Sequence, residues 1–260
     1  MTQLLHEIRE LLRAEISELP GIRVERVCLG LGYSGVKLES GHTGVCNSLL
    51  SEATPDCCQI LQDAGTLAGR PAEALMDLVE SWDIIKRVIG ISTINALSQI
   101  VLEAEPDRYL AEKGNLIDVM KVGSEDTVAM VGHIKPFAKA FRSRAREVNI
   151  LERSPHREEG VLPDTACEVI IPQADIVVIT GSALVNGTME RLLQLARDAR
   201  TIALVGPTIS CLPDPLFRMG VDYAGGIRID DPDKAMQILS EGGGTPQLKG
   251  AGEFITYRAR

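Results

Sequence analysis

Glycines and small polar side chains follow several Val/Ile-rich segments in the second half of the sequence. If those segments are parallel strands, their carboxyl ends meet along one edge of a sheet, where open α/β sheets bind ligands. Glycine lets the backbone approach a ligand closely, and hydroxyl groups supply hydrogen bonds. The sequence therefore predicts a ligand-binding site formed by these loops. Its predicted residues are Gly132, Thr180, Gly181, Ser182, Gly206 and Pro207.

Asn186 and Thr188 extend the second of these loops toward a predicted helix. Backbone N–H groups at the start of a helix attract anions, which favours an anionic group beside these two residues. Taken singly, each residue is also typical of an ordinary turn or helix cap. The cluster of polar residues as a whole favours a site.

His133 is the ionisable side chain best placed for chemistry, because it follows the first predicted strand directly. An imidazole at this position is a candidate metal ligand or general base. The six cysteines include no C-x-x-C pair, so the sequence gives no support for a structural zinc site. Cys57 and Cys58 are adjacent in a predicted turn, and neighbouring residues rarely chelate one metal ion well. No sequence pattern joins a nucleophile, a base and an orienting residue.

Glu152 lies 20 residues after Gly132, at the end of the next predicted strand. Dinucleotide-binding folds place a ribose-binding carboxylate at this position. The first loop has no G-x-G-x-x-G run, however, because Lys135 and Pro136 stand where further glycines are needed. Glu152 also fits a surface carboxylate paired with Arg153. A nucleotide or S-adenosylmethionine-type cofactor is therefore an alternative, and the sequence leaves open whether the protein is an enzyme.

Four basic residues after the first loop are spaced like one face of a helix: Lys135, Lys139, Arg142 and Arg146. An anion-binding patch and a solvated helix face both produce this spacing. Because aromatic residues occupy the opposite face, the solvated face is the favoured interpretation.

Asn95 interrupts an otherwise apolar predicted helix, together with Ser92 and Thr93. Buried polar side chains need hydrogen-bond partners. These three side chains either face the second half of the chain or bond back to their own helix. We expect Asn95 to face the ligand-binding loops.

Strands and helices alternate in the prediction from residue 127 to residue 242. Short Val/Ile-rich runs predict the strands, and apolar residues spaced by three and four predict the helices between them. Near-continuous apolar strands are typical of a mostly parallel sheet covered on both faces. The predicted fold is a Rossmann-like α/β domain whose last helix begins at Asp231-Pro232. The predicted strands are residues 128–131, 147–151, 175–180, 201–205 and 222–227.

The first half has a different predicted order of elements. An apolar stripe from Leu5 to Ile16 indicates a helix, and glycine-separated segments after it predict an antiparallel meander followed by two helices. We therefore predict an α+β domain of residues 1–115 and an α/β domain of residues 116–260. The predicted elements of the first half are a helix at residues 2–19, strands at 23–31, 35–39 and 43–49, and helices at 72–82 and 83–104.

The chain has 260 residues, with 27 lysines and arginines against 36 aspartates and glutamates, so its net charge is −9. This negative charge repels nucleic acids and anionic membranes. We detect no signal-peptide pattern and no apolar run of about 18–20 residues that would span a membrane. We therefore expect a cytoplasmic protein without nucleic-acid or membrane partners. Self-association into a homo-oligomer stays open.

Five segments together resemble a family of prokaryotic proteins named for heavy-metal chelation. The most specific is the Thr-Gly-x-x-x-x-Asn-Gly-Thr run at residues 180–188, followed by Gly206-Pro207, and the resemblance covers nearly the whole chain. It implies an N-terminal domain like the one that precedes the enolase barrel, a C-terminal Rossmann-like domain and a site in the cleft between them. The segments are GISTINA at 90–96, GHIKPF at 132–137, LER at 151–153, ADIVVITGSALVNGT at 174–188 and LVGPT at 204–208.

The resemblance also implies that the cleft binds or inserts a heavy metal or a metal-chelating small molecule. The implied cofactor is a transition metal or a metallated small molecule, and His133 is added as a metal ligand from its position alone. The alternatives are an enzyme with a nucleotide-like or S-adenosylmethionine-like cofactor and a non-catalytic interaction protein. The expected ligand-binding residues are Asn95, Gly132, Glu152, Thr180, Gly181, Ser182, Asn186, Thr188, Gly206 and Pro207.

Overall fold

The structure is a computed structural model that describes residues 3–53, 61–112, 115–154 and 156–260. The predicted turn at Pro55-Asp56, with Cys57 and Cys58 after it, lies outside the described residues. The chain forms a small antiparallel sheet and a larger, mostly parallel sheet, with helices packed on both.

The first helix, α1, spans Gln3–Glu15 and buries the apolar stripe that predicted it. The meander is also confirmed. Strands β1 (Val24–Cys28), β2 (Tyr33–Leu38) and β3 (Thr43–Asn47) pair antiparallel in the order β1-β2-β3.

Two helices follow the meander, as the sequence predicts. Helix α2 (Ala72–Met76) is shorter than expected, because the chain tightens into a 3-10 turn at Asp77–Glu80. Helix α3 (Ile84–Ala104) begins at Asp83, whose carboxylate accepts a hydrogen bond of 3.0 Å from the backbone N–H of Lys86. This side-chain acceptor satisfies one of the free N–H groups at the helix start.

Helix α3 is apolar on all sides and forms the core of the first half. By length and composition alone it could cross a membrane, which corrects the expectation that no such segment exists. Within its most apolar window, 83% of the residues are buried inside the protein, as in the core helix of a soluble domain. Strand β3 lies directly on it, because a Cβ on Gly44 would come within 2.1 Å of the Ser92 carbonyl oxygen.

The second half is built on an eight-stranded, mostly parallel sheet, and this part of the fold prediction is confirmed. Along the sheet the order is β4-β11-β10-β9-β8-β5-β6-β7. All neighbours from β10 to β7 pair parallel, whereas β11 is antiparallel to both of its neighbours. The strands are β4 (Leu110–Ala111), β5 (Thr127–Val131), β6 (Glu147–Glu152), β7 (Leu162–Pro163), β8 (Ile176–Thr180), β9 (Thr201–Val205), β10 (Tyr223–Ile229) and β11 (Gly252–Arg258).

Successive residues of the central strands enter two different cores. Val177 and Ile179 of β8 join the core that contains α1 and α3, while Ile176 and Val178 pack with Phe141 on the other face. The helices and turns of this half cover both faces. The helices are α4 (Leu116–Val119), α5 (Lys135–Arg142), α6 (Cys167–Ile170), α7 (Ser182–Val185), α8 (Met189–Leu195), α9 (Asp214–Arg218), α10 (Pro232–Ser240) and α11 (Thr245–Leu248).

Several elements were not predicted. Strand β7 has two residues and leaves little periodicity in the sequence, and β11 follows the Gly242–Gly244 run at which the predicted order of elements ended. Strand β4 lies just before the predicted domain boundary at residues 115 and 116, and it pairs with β11.

Candidate functional site

The loops after β5, β8 and β9 converge at the carboxyl edge of the large sheet. Gly132 has a φ of +87°, and a Cβ placed there would lie 2.7 Å from Thr180 Cγ2. A Cβ on Gly181 would lie 2.8 Å from Thr208 Cβ. The two glycines are therefore required by the packing of one loop on the next. We call this group of loops, residues 132–133, 152–154, 180–182 and 206–208, the carboxyl-edge site.

Glu152 joins two loops of this site. Its Oε2 accepts a hydrogen bond of 3.0 Å from the backbone N–H of His133, and its Oε1 accepts one of 3.0 Å from the N–H of Ser154. The expected alternative of a pair with Arg153 is wrong, because that guanidinium lies 3.3 Å from Glu52 instead. The carboxylate thus orders the loops after β5 and β6 relative to each other.

Thr180 and Ser182 supply partly exposed hydroxyl groups at the centre of the edge. Thr180 Oγ1 donates to Ser182 Oγ over 3.4 Å, and the Ser182 backbone N–H points back to Thr180 Oγ1 over 3.4 Å. Both contacts are long for hydrogen bonds, so these hydroxyl groups keep capacity for further partners.

Asn95 connects the first half of the chain to the carboxyl-edge site. Its Nδ2 donates to the Val45 carbonyl over 2.8 Å and to the Thr208 carbonyl over 3.1 Å. Asn95 therefore faces the predicted loop, whereas Thr93 bonds back to the Ile89 carbonyl of its own helix over 2.8 Å. Within the described parts of the chain, Asn95 Oδ1 and Ser92 Oγ are buried and have no hydrogen-bond partner.

Thr208 and Asn47 complete this junction and were missing from the predicted set. Thr208 Oγ1 accepts a hydrogen bond of 3.0 Å from the Asn47 backbone N–H. Beside them lies Cys46, and burial raises the pKa of its thiol well above the usual range. A hydroxyl directly after Gly206-Pro207 was the available signal for Thr208. Asn47 lies on a meander strand and gave none.

Arg87 is a buried cation near the loop after β8 that the sequence prediction also missed. Its Nη1 donates to the Val185 carbonyl over 2.9 Å, while its Nε and Nη2 both donate to the Ser81 carbonyl. Burial lowers the pKa of Arg87. A single arginine inside a nearly all-apolar helix was the signal that could have identified it.

Asn186 and Thr188 form hydrogen bonds with each other at the end of α7. Thr188 Oγ1 and its backbone N–H donate to Asn186 Oδ1 over 2.7 and 3.2 Å. Thr188 precedes α8 without a side-chain bond to the helix. The described hydrogen bonds of these two side chains do not reach the other predicted residues, so their place in a ligand site stays a prediction.

His133 lies at one end of the carboxyl-edge site, beside a recess of about 500 Å³. Its Nδ1 is 4.0 Å from Glu158 Oε2, and the same carboxylate lies 2.9 Å from Lys135 Nζ. The hydrogen bond from Lys135 holds the pKa of Glu158 below its usual range. Lys139 and Arg142 are exposed on α5, in agreement with a solvated helix face. Arg146 was expected on the same face, but it lies beyond the end of α5, and its Nη2 donates to Thr127 Oγ1 over 2.6 Å. Among the residues that the structure describes, no three His, Cys, Asp or Glu side chains group together as metal ligands.

A cavity of about 710 Å³ lies between the two halves of the chain. The first half contributes the β2–β3 turn and the end of α3, and the second half contributes the loop after β9 together with β10 and β11. None of the predicted site residues lines it. The sequence predicts a site at the carboxyl ends of the strands. The residues that line this cavity are far apart in the sequence, so their spacing does not indicate it.

Two family models match the chain, and both are described as "Putative heavy-metal chelation". One matches residues 12–98 and the other matches residues 115–258. An uncharacterized protein from Methanocaldococcus jannaschii is 30% identical over 188 residues, which cover 71% of this chain and 70% of that protein.

Two crystal structures have the same overall fold. A protein with unknown function from Pyrococcus horikoshii, of the DUF364 family, superposes with a TM-score of 0.84 at 21% identity and covers 99% of this chain and 100% of its own. A second DUF364 protein with unknown function, from Desulfitobacterium hafniense, has a TM-score of 0.80 at 27% identity and covers 99% of both chains.

Proposed function

The chain belongs to the family described as "Putative heavy-metal chelation", and from that premise we propose that it binds or chelates a heavy metal, carried by a small molecule, in the cleft between its two halves. Asn95 carries the proposal, because its amide joins α3 and β3 to the Thr208 loop of the carboxyl-edge site. A ligand at that edge would meet groups from both halves of the chain.

The chemistry of these groups favours a small molecule over a bare ion. Hydroxyl, amide and backbone groups bind the polar atoms of organic ligands, whereas soft heavy metals prefer thiolate and imidazole ligands. The His133 imidazole and the Glu158 carboxylate are two groups at the end of this edge that can bind a metal. We therefore assign metal contact to His133 and ligand contact to the ten residues that the sequence predicts.

The domain division at residues 115 and 116 belongs to the same proposal. The six parallel strands, taken along the sheet from β10 to β7, follow the sequence order 6-5-4-1-2-3. Dinucleotide-binding folds have this order, which supports a Rossmann-like second domain. The proposed first domain, similar to the one that precedes the enolase barrel, rests on the resemblance and on the helix–meander–helix order.

An enzyme with a nucleotide-like or S-adenosylmethionine-like cofactor is the second candidate. The strand order, the positive φ of Gly132 and the position of Glu152 at the end of β6 favour it. Against it, both carboxylate oxygens of Glu152 already accept backbone N–H groups, and Pro136 removes one N–H from the start of α5. Equilibrium binding decides this candidate: no binding of nucleotides or S-adenosylmethionine at millimolar concentration contradicts it.

Metal content and native mass spectrometry test the main proposal on protein purified without a chelator or a histidine tag. We expect a stoichiometric metal or a retained metallated molecule. Calorimetry with Ni²⁺ or Zn²⁺ then compares His133→Ala with His156→Ala, because His156 is an exposed histidine outside the predicted site. We expect His133→Ala alone to weaken binding, and equal affinities in the wild type and both variants contradict a metal contact for His133.

The expected surroundings of the protein complete the proposal. We retain a cytoplasmic location, a small-molecule or metal partner and no nucleic-acid partner. The net charge of −9 supports the last of these. The same native mass measurement reports the mass of the assembly directly. It therefore also tests for a homo-oligomer and for a non-catalytic interaction role.

A further inference from the structure

Three side chains at the mouth of the 710 Å³ cavity form a hydrogen-bonded chain. Ser40 Oγ lies 2.9 Å from His42 Nδ1, and His42 Nε2 lies 2.8 Å from Glu103 Oε2. Ser40 and His42 belong to the β2–β3 turn, while Glu103 is near the end of α3. A hydroxyl, an imidazole and a carboxylate in this order are the arrangement that activates a serine nucleophile.

The carboxylate determines which ring nitrogen of His42 carries the proton. An ionised Glu103 only accepts hydrogen bonds, so the neutral ring donates from Nε2. The lone pair of Nδ1 then faces Ser40 Oγ, and the serine hydroxyl donates to it. His42 is thereby oriented as a base toward Ser40. The ring is used in the opposite sense from the serine proteases, in which Nε2 faces the serine.

The backbone N–H groups of the same turn differ in whether they are hydrogen-bonded within the protein. The N–H groups of Ser40 and His42 donate to no backbone or side-chain acceptor in the described part of the chain. Gly41, between them, has a φ of +91° and donates to the Leu38 carbonyl. The turn therefore holds two backbone N–H groups close in the chain to Ser40 that have no acceptor in the described part of the protein.

The cavity beside these residues is lined by both apolar and polar groups. Its apolar lining includes Leu102, Ile209, Ile227, Ile229 and Ile255, and its polar lining includes Gln99, Ser210 and Tyr257. The arginine at its rim, Arg228, already pairs with Asp230 and Glu253. The charge of Arg228 is therefore already balanced and does not require an anionic group on the substrate.

We propose that Ser40, His42 and Glu103 hydrolyse a small uncharged ester whose apolar part occupies this cavity. Ser40 Oγ attacks the ester carbonyl carbon while its proton passes to His42 Nδ1. The C–O bond to the alcohol then breaks, and His42 returns the proton to the departing oxygen. Water, deprotonated by His42, releases the acid from the acyl-serine and restores the Ser40 hydroxyl. Ester and water are converted to acid and alcohol, with no other reactant.

Covalent labelling tests the nucleophile on the full-length protein. A fluorophosphonate probe, followed by peptide mass spectrometry, is expected to modify Ser40 in the wild type and to leave this peptide unmodified in Ser40→Ala. Ser240→Ala is the matched control, because Ser240 is an exposed serine whose hydroxyl bonds only a backbone carbonyl. Labelling of Ser40 at no greater rate than Ser240 overturns the proposal.

Hydrolysis of p-nitrophenyl butyrate tests the base and its orientation. We expect His42→Gln to lower kcat on the order of 100-fold, the usual contribution of a general base, and Glu103→Gln to lower it on the order of 10-fold. His156→Gln, at an exposed histidine, leaves the rate unchanged. Circular dichroism verifies that each variant is folded. A folded His42→Gln variant with wild-type kcat contradicts the assignment, as does a Ser40→Ala variant with wild-type kcat.

Discussion

Asn95 holds two parts of the protein together with a single amide group. Its Nδ2 is shared between the Val45 carbonyl of β3 and the Thr208 carbonyl of the loop after β9. Both acceptors lie in the dry interior, where a lost hydrogen bond leaves the partner unsatisfied. The residue is therefore structural as well as close to the proposed site.

Replacing this amide gives a prediction for stability. Asn95→Ala should lower the free energy of unfolding by about 2–4 kcal/mol, because it leaves two buried carbonyls without a donor. Thr93→Val is the control, since the Thr93 hydroxyl donates to the Ile89 carbonyl of its own helix, and its loss should cost about 1 kcal/mol or less. Urea unfolding measures both values. A loss for Asn95→Ala no larger than for Thr93→Val would contradict the bridging role.

A comparison of Gly132 with Gly220 separates the cost of backbone strain from the cost of side-chain crowding. The φ of Gly132, +87°, nearly equals the +89° of Gly220. A Cβ at Gly132 would collide with Thr180, whereas nothing lies within 4 Å of a Cβ at Gly220. Gly220→Ala should cost about 1–2 kcal/mol for the left-handed conformation alone. Gly132→Ala should cost about 1–3 kcal/mol more, from overpacking. Thermal unfolding compares the two, and equal losses would show that the loops can move apart.

At this scale the sequence predicted that the loops after β5, β8 and β9 lie together, but it did not predict the hydrogen-bond partners of their residues. Glu152 and Asn95 are expected to face a ligand, and the structure adds a role that the sequence did not indicate: Glu152 and the Asn95 amide nitrogen join separate segments of the chain. Hydrogen-bond partners depend on side-chain direction and on distant backbone groups, and residue spacing contains neither. Arg87 and Asn47 were missed for the same reason.

The elements of the two halves are linked by an ion pair between β2 and α10. Lys37 lies 2.9 Å from Glu25 within the meander and 2.8 Å from Asp233 at the start of α10. Gly30 and Gly35 allow this approach, because a Cβ on either would lie within 2.5 Å of Leu239 atoms. The helix thus sits directly on the backbone of the small sheet.

This pair predicts how stability depends on pH. The hydrogen bond from Lys37 lowers the pKa of Asp233 from its usual 3.8. As the pH falls, Asp233 takes up a proton in the unfolded chain before it does so in the folded protein. The stability that this ion pair contributes above the unfolded pKa is therefore lost as the pH falls through the folded pKa. Asp233→Asn should reduce this acid-induced loss in urea unfolding between about pH 6 and pH 2. Asp198→Asn is the control, because Asp198 is highly exposed and its ion pair among the described residues is with the adjacent Arg197. Equal acid sensitivity in both variants would contradict the contribution.

Elements with strong periodicity were predictable, and short or late ones were not. The buried strands β5, β8 and β9 are runs of apolar residues whose burial on both faces leaves a clear pattern. The two-residue strands β4 and β7 are defined by pairing with distant partners, which no local pattern encodes. The 3-10 turn after α2 changes the hydrogen-bond spacing while the apolar pattern continues.

Across the whole molecule, one hydrophobic core joins the two proposed domains. Leu4, Ile8 and Leu97 from the first half lie in the same cluster as Val177 and Leu204 from the large sheet. The sequence predicted the sheet and the meander separately, but it did not predict that they share a core. Apolar stripes show that a face is buried and do not identify the surface that buries it.

This shared core predicts how the protein unfolds. Because each half would expose large apolar surfaces without the other, we expect one cooperative transition in urea for the full chain. Hydrogen exchange measured by mass spectrometry at several urea concentrations can follow peptides from α3 and from β8 separately. Both peptides should lose protection at the same midpoint and with the same dependence on urea concentration. Two separated midpoints would instead mean that the proposed domains of residues 1–115 and 116–260 fold as independent units. In that case the cleft between them would be free to open without unfolding either one.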